Sequence, residues 1–134
     1  KPYQPSFNAG YSSTGTTGGY LVYDDVTSST YGRHNIGGHY STSTGRFTAP
    51  IAGRYFFSFS GMGDSTNNRI MLRLQLNGSD SIFASAGSAM YGDVKATMIW
   101  NLSAGDYVNV MARTSFFYQN GNSVEHYFMG YLLG

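Results

Sequence analysis

The 134-residue sequence contains no cysteine, only three prolines and few charged side chains, which make up 11% of the chain. Without cysteine the fold gains nothing from disulfides, and cysteine usage indicates no particular compartment. The net charge is only +1, so we expect no binding to nucleic acid, which requires clustered lysine and arginine. No apolar run approaches the roughly 20 residues of a membrane span, so we also expect no membrane insertion.

The residues that do dominate are tyrosine, phenylalanine, glycine, serine, threonine and asparagine. Aromatic and β-branched side chains favour strands, and glycine favours tight turns. The length fits one compact domain over residues 1–134. Because the chain opens at Lys1 without a start methionine or a signal segment, we expect it to be the C-terminal part of a longer protein.

Apolar side chains recur with the period of two that is typical of strands, and a helical period is not evident. In the stretch 54–60, Tyr55, Phe57 and Phe59 share one face. Similar alternation predicts further strands at 69–77, 94–102 and 107–113. Turns rich in glycine, serine and asparagine separate these runs, so the pattern predicts one antiparallel β-sandwich or barrel.

Two of the predicted strands are apolar on both faces. Phe56 lies on the second face of the 54–60 run, and the 127–134 run has apolar or aromatic residues on either side. The aromatic stripe at 45–61 could therefore be a sheet core, a stacking platform or a surface that meets another copy. Since a monomeric antiparallel sheet rarely needs two apolar faces, we expect one sheet to pack also on a second copy.

A specific family pattern runs along the same stretches. Phe47 is followed by 53-GRYFFSF-59 in the order G-x-Y-x-F-x-F, and Asn35 and Tyr40 precede Phe47 at matching spacing. The segments 105-GDYVNV-110 and 128-FMGYLL-133 also agree. Together these motifs resemble the complement C1q globular-head family. The first aromatic of the pattern would fall at Ser29, where this sequence departs from it.

The resemblance implies a ten-stranded jelly-roll sandwich of the tumour-necrosis-factor-like superfamily, assembled as a homotrimer. It implies a core signature of Phe47, Gly53, Tyr55, Phe57, Phe59 and Gly130. For the surface turned toward neighbouring copies we expect Phe56, Ile99, Phe128 and Leu132. Alternation by itself does not choose between the two faces of the last strand.

The sequence offers little for catalysis or metal binding. The turn 63-GDS-65 with His126 is similar to a hydrolase nucleophile turn, but no helix follows it. The histidines His34, His39 and His126 lack metal-ligand spacing, although one could meet its copies on a threefold axis. Some family members bind calcium through clustered carboxylates, whereas Asp93 has no second acid beside it. We therefore expect no catalytic residue and no cofactor, and we assign no metal site.

The segment 114–125 is the strongest candidate for ligand binding. It presents aromatic rings beside amides, which suit the stacking and hydrogen bonding of sugar rings. The ligand-binding candidates are Phe117, Tyr118, Asn120 and Asn122. Alternatively, Phe116 and Phe117 continue the preceding strand and pack at a subunit contact.

The function expected from these features is that of an extracellular or surface-exposed, non-enzymatic recognition head. Its partners would be its own copies and a glycan or surface-protein ligand, as in a lectin-like or adhesive domain. The alternative is a structural, trimerising tip of a fibre, such as a phage tail fibre or a spore or collagen-like filament, which itself could bind a receptor.

Overall fold

The computed structural model describes residues 4–11, 19–62, 70–86, 93–112 and 126–134. Within these ranges the only helical element is a single 3₁₀ turn, Ser29–Tyr31. Ten strands make up the rest of the regular structure: β1 (Ser6–Gly10), β2 (Gly19–Leu21), β3 (His34–Ile36), β4 (Phe47–Thr48), β5 (Gly53–Met62), β6 (Ile70–Leu76), β7 (Ser79–Ala86), β8 (Asp93–Leu102), β9 (Tyr107–Ala112) and β10 (Tyr127–Leu132).

The strands form two antiparallel sheets. The first sheet has the order β3-β1-β10-β5-β8, and the second has the order β2-β9-β6-β7 with β4 also paired to β9. The predicted all-β architecture is therefore confirmed. The alternating runs correspond to β5, β6, β8 and β9, whereas β2, β3 and β4 span only two or three residues, too few to show a period of two.

Aromatic rings fill the space between the two sheets. Phe7 lies at the centre, with its ring stacked on Tyr40 at 4.8 Å and on Phe47 at 4.9 Å between centroids. Phe128 meets the same ring edge-on at 4.8 Å, and Phe57 lies 6.5 Å away. Such stacked and edge-on pairs are favourable beyond the burial of their area. The five rings are nearly or fully buried, so this cluster is the core that joins the sheets.

The pairing between β10 and β5 corrects the expected placement of two residues. Phe128 lies opposite Phe59, and Leu132 lies opposite Tyr55. Residues directly opposite one another on paired strands point to the same side of a sheet. Phe128 and Leu132 consequently lie in the core, at 0% and 9% exposure, and not on the surface turned toward other copies. Tyr131 takes the outward position that we had expected for them.

Gly130 lies where β10 approaches β5 most closely. A Cβ atom on Gly130 would lie 2.6 Å from Cδ1 of Phe57 and 2.7 Å from the backbone oxygen of Phe56. Real Cβ atoms essentially never make contacts this short, and one of the two obstacles is backbone. Glycine at this position therefore lets the two strands pair at their normal separation.

We expect Gly130→Ala to lower the free energy of unfolding by about 1–3 kcal/mol, because it overpacks a site that cannot relax. Gly53→Ala is the matched control. There the nearest atom is Cδ1 of Leu132 at 2.9 Å, the end of a flexible side chain, so we expect a smaller loss. Chemical denaturation of both variants at one protein concentration measures the difference. Equal losses would contradict the close approach at Gly130.

Two buried tyrosines connect strands to the loops between β2 and β4. The hydroxyl of Tyr40 donates to the backbone oxygen of Tyr23 at 2.7 Å. The hydroxyl of Tyr23 in turn donates to the backbone oxygen of Ser60 at 3.2 Å. Burial raises the pKa of Tyr23 well above its usual value, and burial likewise raises the pKa of Tyr40.

These raised pKa values predict a loss of stability in alkali. The folded state holds both phenolic protons more tightly than the unfolded chain, whose tyrosines have a pKa of about 10. The free energy of unfolding should therefore be insensitive to tyrosine ionisation below about pH 10 and fall above it. Tyr40→Phe should cost about 1 kcal/mol at neutral pH through its lost hydrogen bond. It should also make the alkaline fall shallower, and an unchanged slope in denaturation curves would contradict this account.

Candidate functional site

The outer face of the first sheet, which is the side turned away from the core, carries a row of residues across all five strands. The register pairs Ile36 with Ser6, Ser6 with Tyr131, Tyr131 with Phe56, and Phe56 with Ile99. Each step crosses to the next strand, so the five side chains follow one line. We call this line the apolar row, because four of its five residues are aliphatic or aromatic and the fifth is Ser6.

Much of the apolar row is open to solvent. Ile99 is 62% exposed, Ile36 41% and Tyr131 40%. Phe56 is half-buried, with its ring 5.2 Å from that of Tyr131. A sheet face in contact with water usually carries polar residues, so aligned exposed apolar side chains indicate an interaction surface.

On β5 and β8 the next rows of the outer face are polar, whereas Met129 on β10 lies opposite Ser58. Ser58 on β5 lies opposite Thr97 on β8, and their hydroxyl oxygens are 3.2 Å apart. One row further, Ser60 lies opposite Lys95, which is exposed. Across β5 and β8 the outer face is thus divided into an apolar band and a hydroxyl-rich band, a division that the alternation of single strands does not reveal.

One corner of the outer face is covered by the protein's own chain. Arg33 is buried over Gly10, whose Cβ would lie 2.4 Å from Nε of Arg33. Nη1 of Arg33 donates to Oδ1 of Asn8 at 2.8 Å, and Nη2 donates to the backbone oxygen of His126 at 3.5 Å. Burial lowers the pKa of Arg33, and the nearby carboxylate of Asp25 opposes that shift. The open part of the face therefore lies along the apolar row, away from this corner.

A second apolar area lies at the edge of the sandwich beside this face. Strand β8 ends the first sheet, so one of its sides has no neighbouring strand in that sheet among the strands that the structure describes. Its core-facing residues Ala96, Met98 and Trp100 pack against the core but remain partly exposed. We call these three residues the β8 edge. It is adjacent to Ile99 but faces a different direction.

The sequence had indicated part of this surface. The expected surface residues Phe56 and Ile99 lie on the outer face, next to each other in register. Tyr131 was missed because alternation allowed either face of the last strand. Ile36 was missed because β3 has only three residues, so its sequence carries no periodic signal.

The expected ligand-binding residues Phe117, Tyr118, Asn120 and Asn122 lie outside the described residues, and so does Ser65 of the hydrolase-like turn. His126, which we had considered as a base for Ser65, is 5% exposed, and its ring lies 6.1 Å from that of Tyr11. The segment 114–125 thus remains a prediction.

Among the residues that the structure describes, no three histidine or acidic side chains come together as metal ligands would. The ring of His39 packs over Gly37, and His34 makes hydrogen bonds to Ser6 and to the backbone of Gly32. Over the same ranges we find no helix with the length and apolar character needed to cross a membrane.

Two antiparallel sheets packed around an aromatic core define the class as an all-β sandwich. The model of the C1q domain family matches residues 8–133, and the chain belongs to that family. A sequence comparison with curated proteins finds no match.

A solved structure similar to this one is the globular domain of the zebrafish complement 1qA protein, with a TM-score of 0.75. The match covers 97% of this chain and 98% of that chain at 19% sequence identity. At this identity the likeness shows the fold, and it confirms the predicted jelly roll.

Proposed function

We propose that this C1q domain is a non-catalytic recognition head that assembles as a homotrimer and binds a glycan or a surface protein through its loops. The observation that carries the proposal is the apolar row, which is aligned across the first sheet and exposed. Membership of the C1q domain family supports the same reading, since such domains typically form trimers. The place of action that we propose is extracellular, or the surface of a virion or fibre.

The arrangement of two unlike apolar areas favours a ring of copies. The β8 edge of one copy can cover the apolar row of a second copy. The apolar row of the first copy is then free to be covered by the β8 edge of a third copy. Contacts between unlike surfaces generate closed rings when the rotation between copies returns to the start. A two-fold pair joined row to row would leave the β8 edge exposed, with Trp100 still partly in water.

The energetic gain from such contacts is substantial. Fully burying one large aliphatic or aromatic side chain contributes about 1.5–3 kcal/mol. Ile99, Tyr131 and Ile36 are exposed in the isolated chain, so much of this stabilisation would be gained only when copies associate. Association is opposed by the loss of translational and rotational freedom and by the ordering of side chains. We therefore expect these three side chains to contribute most of the binding free energy, and the polar rows to contribute mainly shape complementarity.

We expect Ile99→Arg to convert the assembly to monomers, because a charge without a partner would be buried in the contact. The wild-type mass in solution should be three times the 14.6 kDa of one chain. Ile51→Arg is the matched control, since Ile51 is 52% exposed but lies in the turn before β5, off the outer face. Light scattering gives the mass, and circular dichroism checks the fold. A trimeric Ile99→Arg protein would contradict the proposed contact.

The proposed ligand site is the segment 114–125. Burial of the first sheet in an assembly would leave loops and the second sheet for ligands. Three weak sites on one rigid body would gain affinity through avidity by a factor of about 10²–10⁴, without any new contact. Tyr118 and the two asparagines supply the stacking surface and the amides that we propose for sugar recognition.

We expect Tyr118→Ala, and the double change Asn120→Ala with Asn122→Ala, to abolish binding on a glycan array or to a cell surface while the mass stays trimeric. Ser43→Ala, in the exposed turn between β3 and β4, is the control and should bind like the wild type. Binding that survives both changes would contradict this site. An intact trimer that binds nothing at high concentration would favour the structural fibre tip.

A further inference from the structure

A serine and a histidine from neighbouring strands are hydrogen-bonded on the outer face. Oγ of Ser6, on β1, lies 2.7 Å from Nε2 of His34, on β3. The other ring nitrogen of His34, Nδ1, lies 2.8 Å from the backbone oxygen of Gly32. Ser6 is opposite Ile36 in the register, so His34 is its diagonal neighbour on the same face.

The partners decide where the protons lie. The carbonyl oxygen of Gly32 can only accept, so Nδ1 of His34 must carry the hydrogen. In the neutral ring Nε2 then has a free lone pair and accepts the hydroxyl hydrogen of Ser6. The result is a directed chain from a serine hydroxyl through an imidazole to a carbonyl oxygen.

We infer that Ser6 is a nucleophilic serine, a site of covalent acylation by activated esters of apolar acids, with His34 as the general base. A nucleophile bonded to a base that a third group orients is the arrangement that activates hydroxyls in proteins. Ser6 and His34 are both partly exposed. In the apolar row Ser6 lies between Ile36 and Tyr131, whose exposed side chains offer an apolar surface for the acyl group.

The step balances without any further reagent. Oγ of Ser6 attacks the ester carbonyl, a new oxygen–carbon bond forms, the bond to the leaving group breaks, and the serine proton passes to Nε2 of His34. Ser6 lies inside the ladder between β10 and β3, so the backbone N–H groups around it serve strand pairing and are not free to bind an oxyanion. Because donors to an oxyanion usually contribute the largest rate effect, we expect a single stable modification and not rapid turnover.

The test uses an alkyl fluorophosphonate probe, which transfers its phosphonyl group to serine oxygen as fluoride leaves, and p-nitrophenyl butyrate as the ester. Peptide mass spectrometry locates the adduct. We expect the label on Ser6, none there after Ser6→Ala, and labelling about 10²–10⁴ times slower after His34→Gln, the usual contribution of a general base. Ser43 is the internal control, since it is exposed and its hydroxyl is hydrogen-bonded to another hydroxyl, that of Ser41, and not to an imidazole.

A pH profile separates base catalysis from a structural role. In acid, labelling of Ser6 should slow more than labelling of Ser43, because a protonated imidazole cannot accept the serine proton. Labelling that is no faster at Ser6 than at Ser43, or that is unchanged by His34→Gln, would overturn the inference. The melting temperatures of both variants show whether the fold is retained.

This inference does not depend on the proposed assembly, and the two can fail separately. The solution mass alone tests the trimer. The probe is applied to the wild-type protein and to Ile99→Arg. Residue 99 lies far from Ser6, at the β8 end of the apolar row. If an assembly covers Ser6, labelling should appear in Ile99→Arg and be slow in the wild type. Absence of label at Ser6 in both proteins would refute a nucleophilic serine, whatever the mass.

Discussion

The alignment of β10 with β5 is the constraint on which the rest of the molecule depends. It sets Phe128 against Phe59 and, three residues on, Tyr131 against Phe56. A slip of one residue would turn every side chain of β10 to the opposite face, exposing Phe128 and burying Tyr131. Gly130 secures this register because only a residue without Cβ fits against Phe57 at the crossing point. Core and surface are thus decided by the same pair of strands.

That register also decides which residues lie on each face of the first sheet. The inner face contributes Phe7, Phe57 and Phe128 to an aromatic cluster that includes rings from the β4 region. The outer face carries an apolar row and a hydroxyl-rich band. A small domain without disulfides must obtain its stability from such packing, and its remaining apolar surface is then available for contacts with other molecules.

The outer face holds both the proposed contact between copies and the proposed nucleophile. Ser6 and Phe56 flank Tyr131 in the same row, so an assembled protein would control access to the serine. The covered corner at Arg33 lies beyond this row, near Asn8 and the start of β10. In the proposed assembly, access to Ser6 would therefore depend on the contact between copies.

The sequence alone determined the fold class, the alternating strands and the buried face of β5, because Tyr55, Phe57 and Phe59 stand at a period of two. The family followed from motifs that are local in the chain. Only the tertiary structure decided which face of β10 is the core, since that strand is apolar on both sides and its partner makes the choice. It alone also aligned Ile36 with Tyr131 and brought His34 to Ser6, because residues 28 apart in the chain meet through strand pairing, which no local pattern encodes.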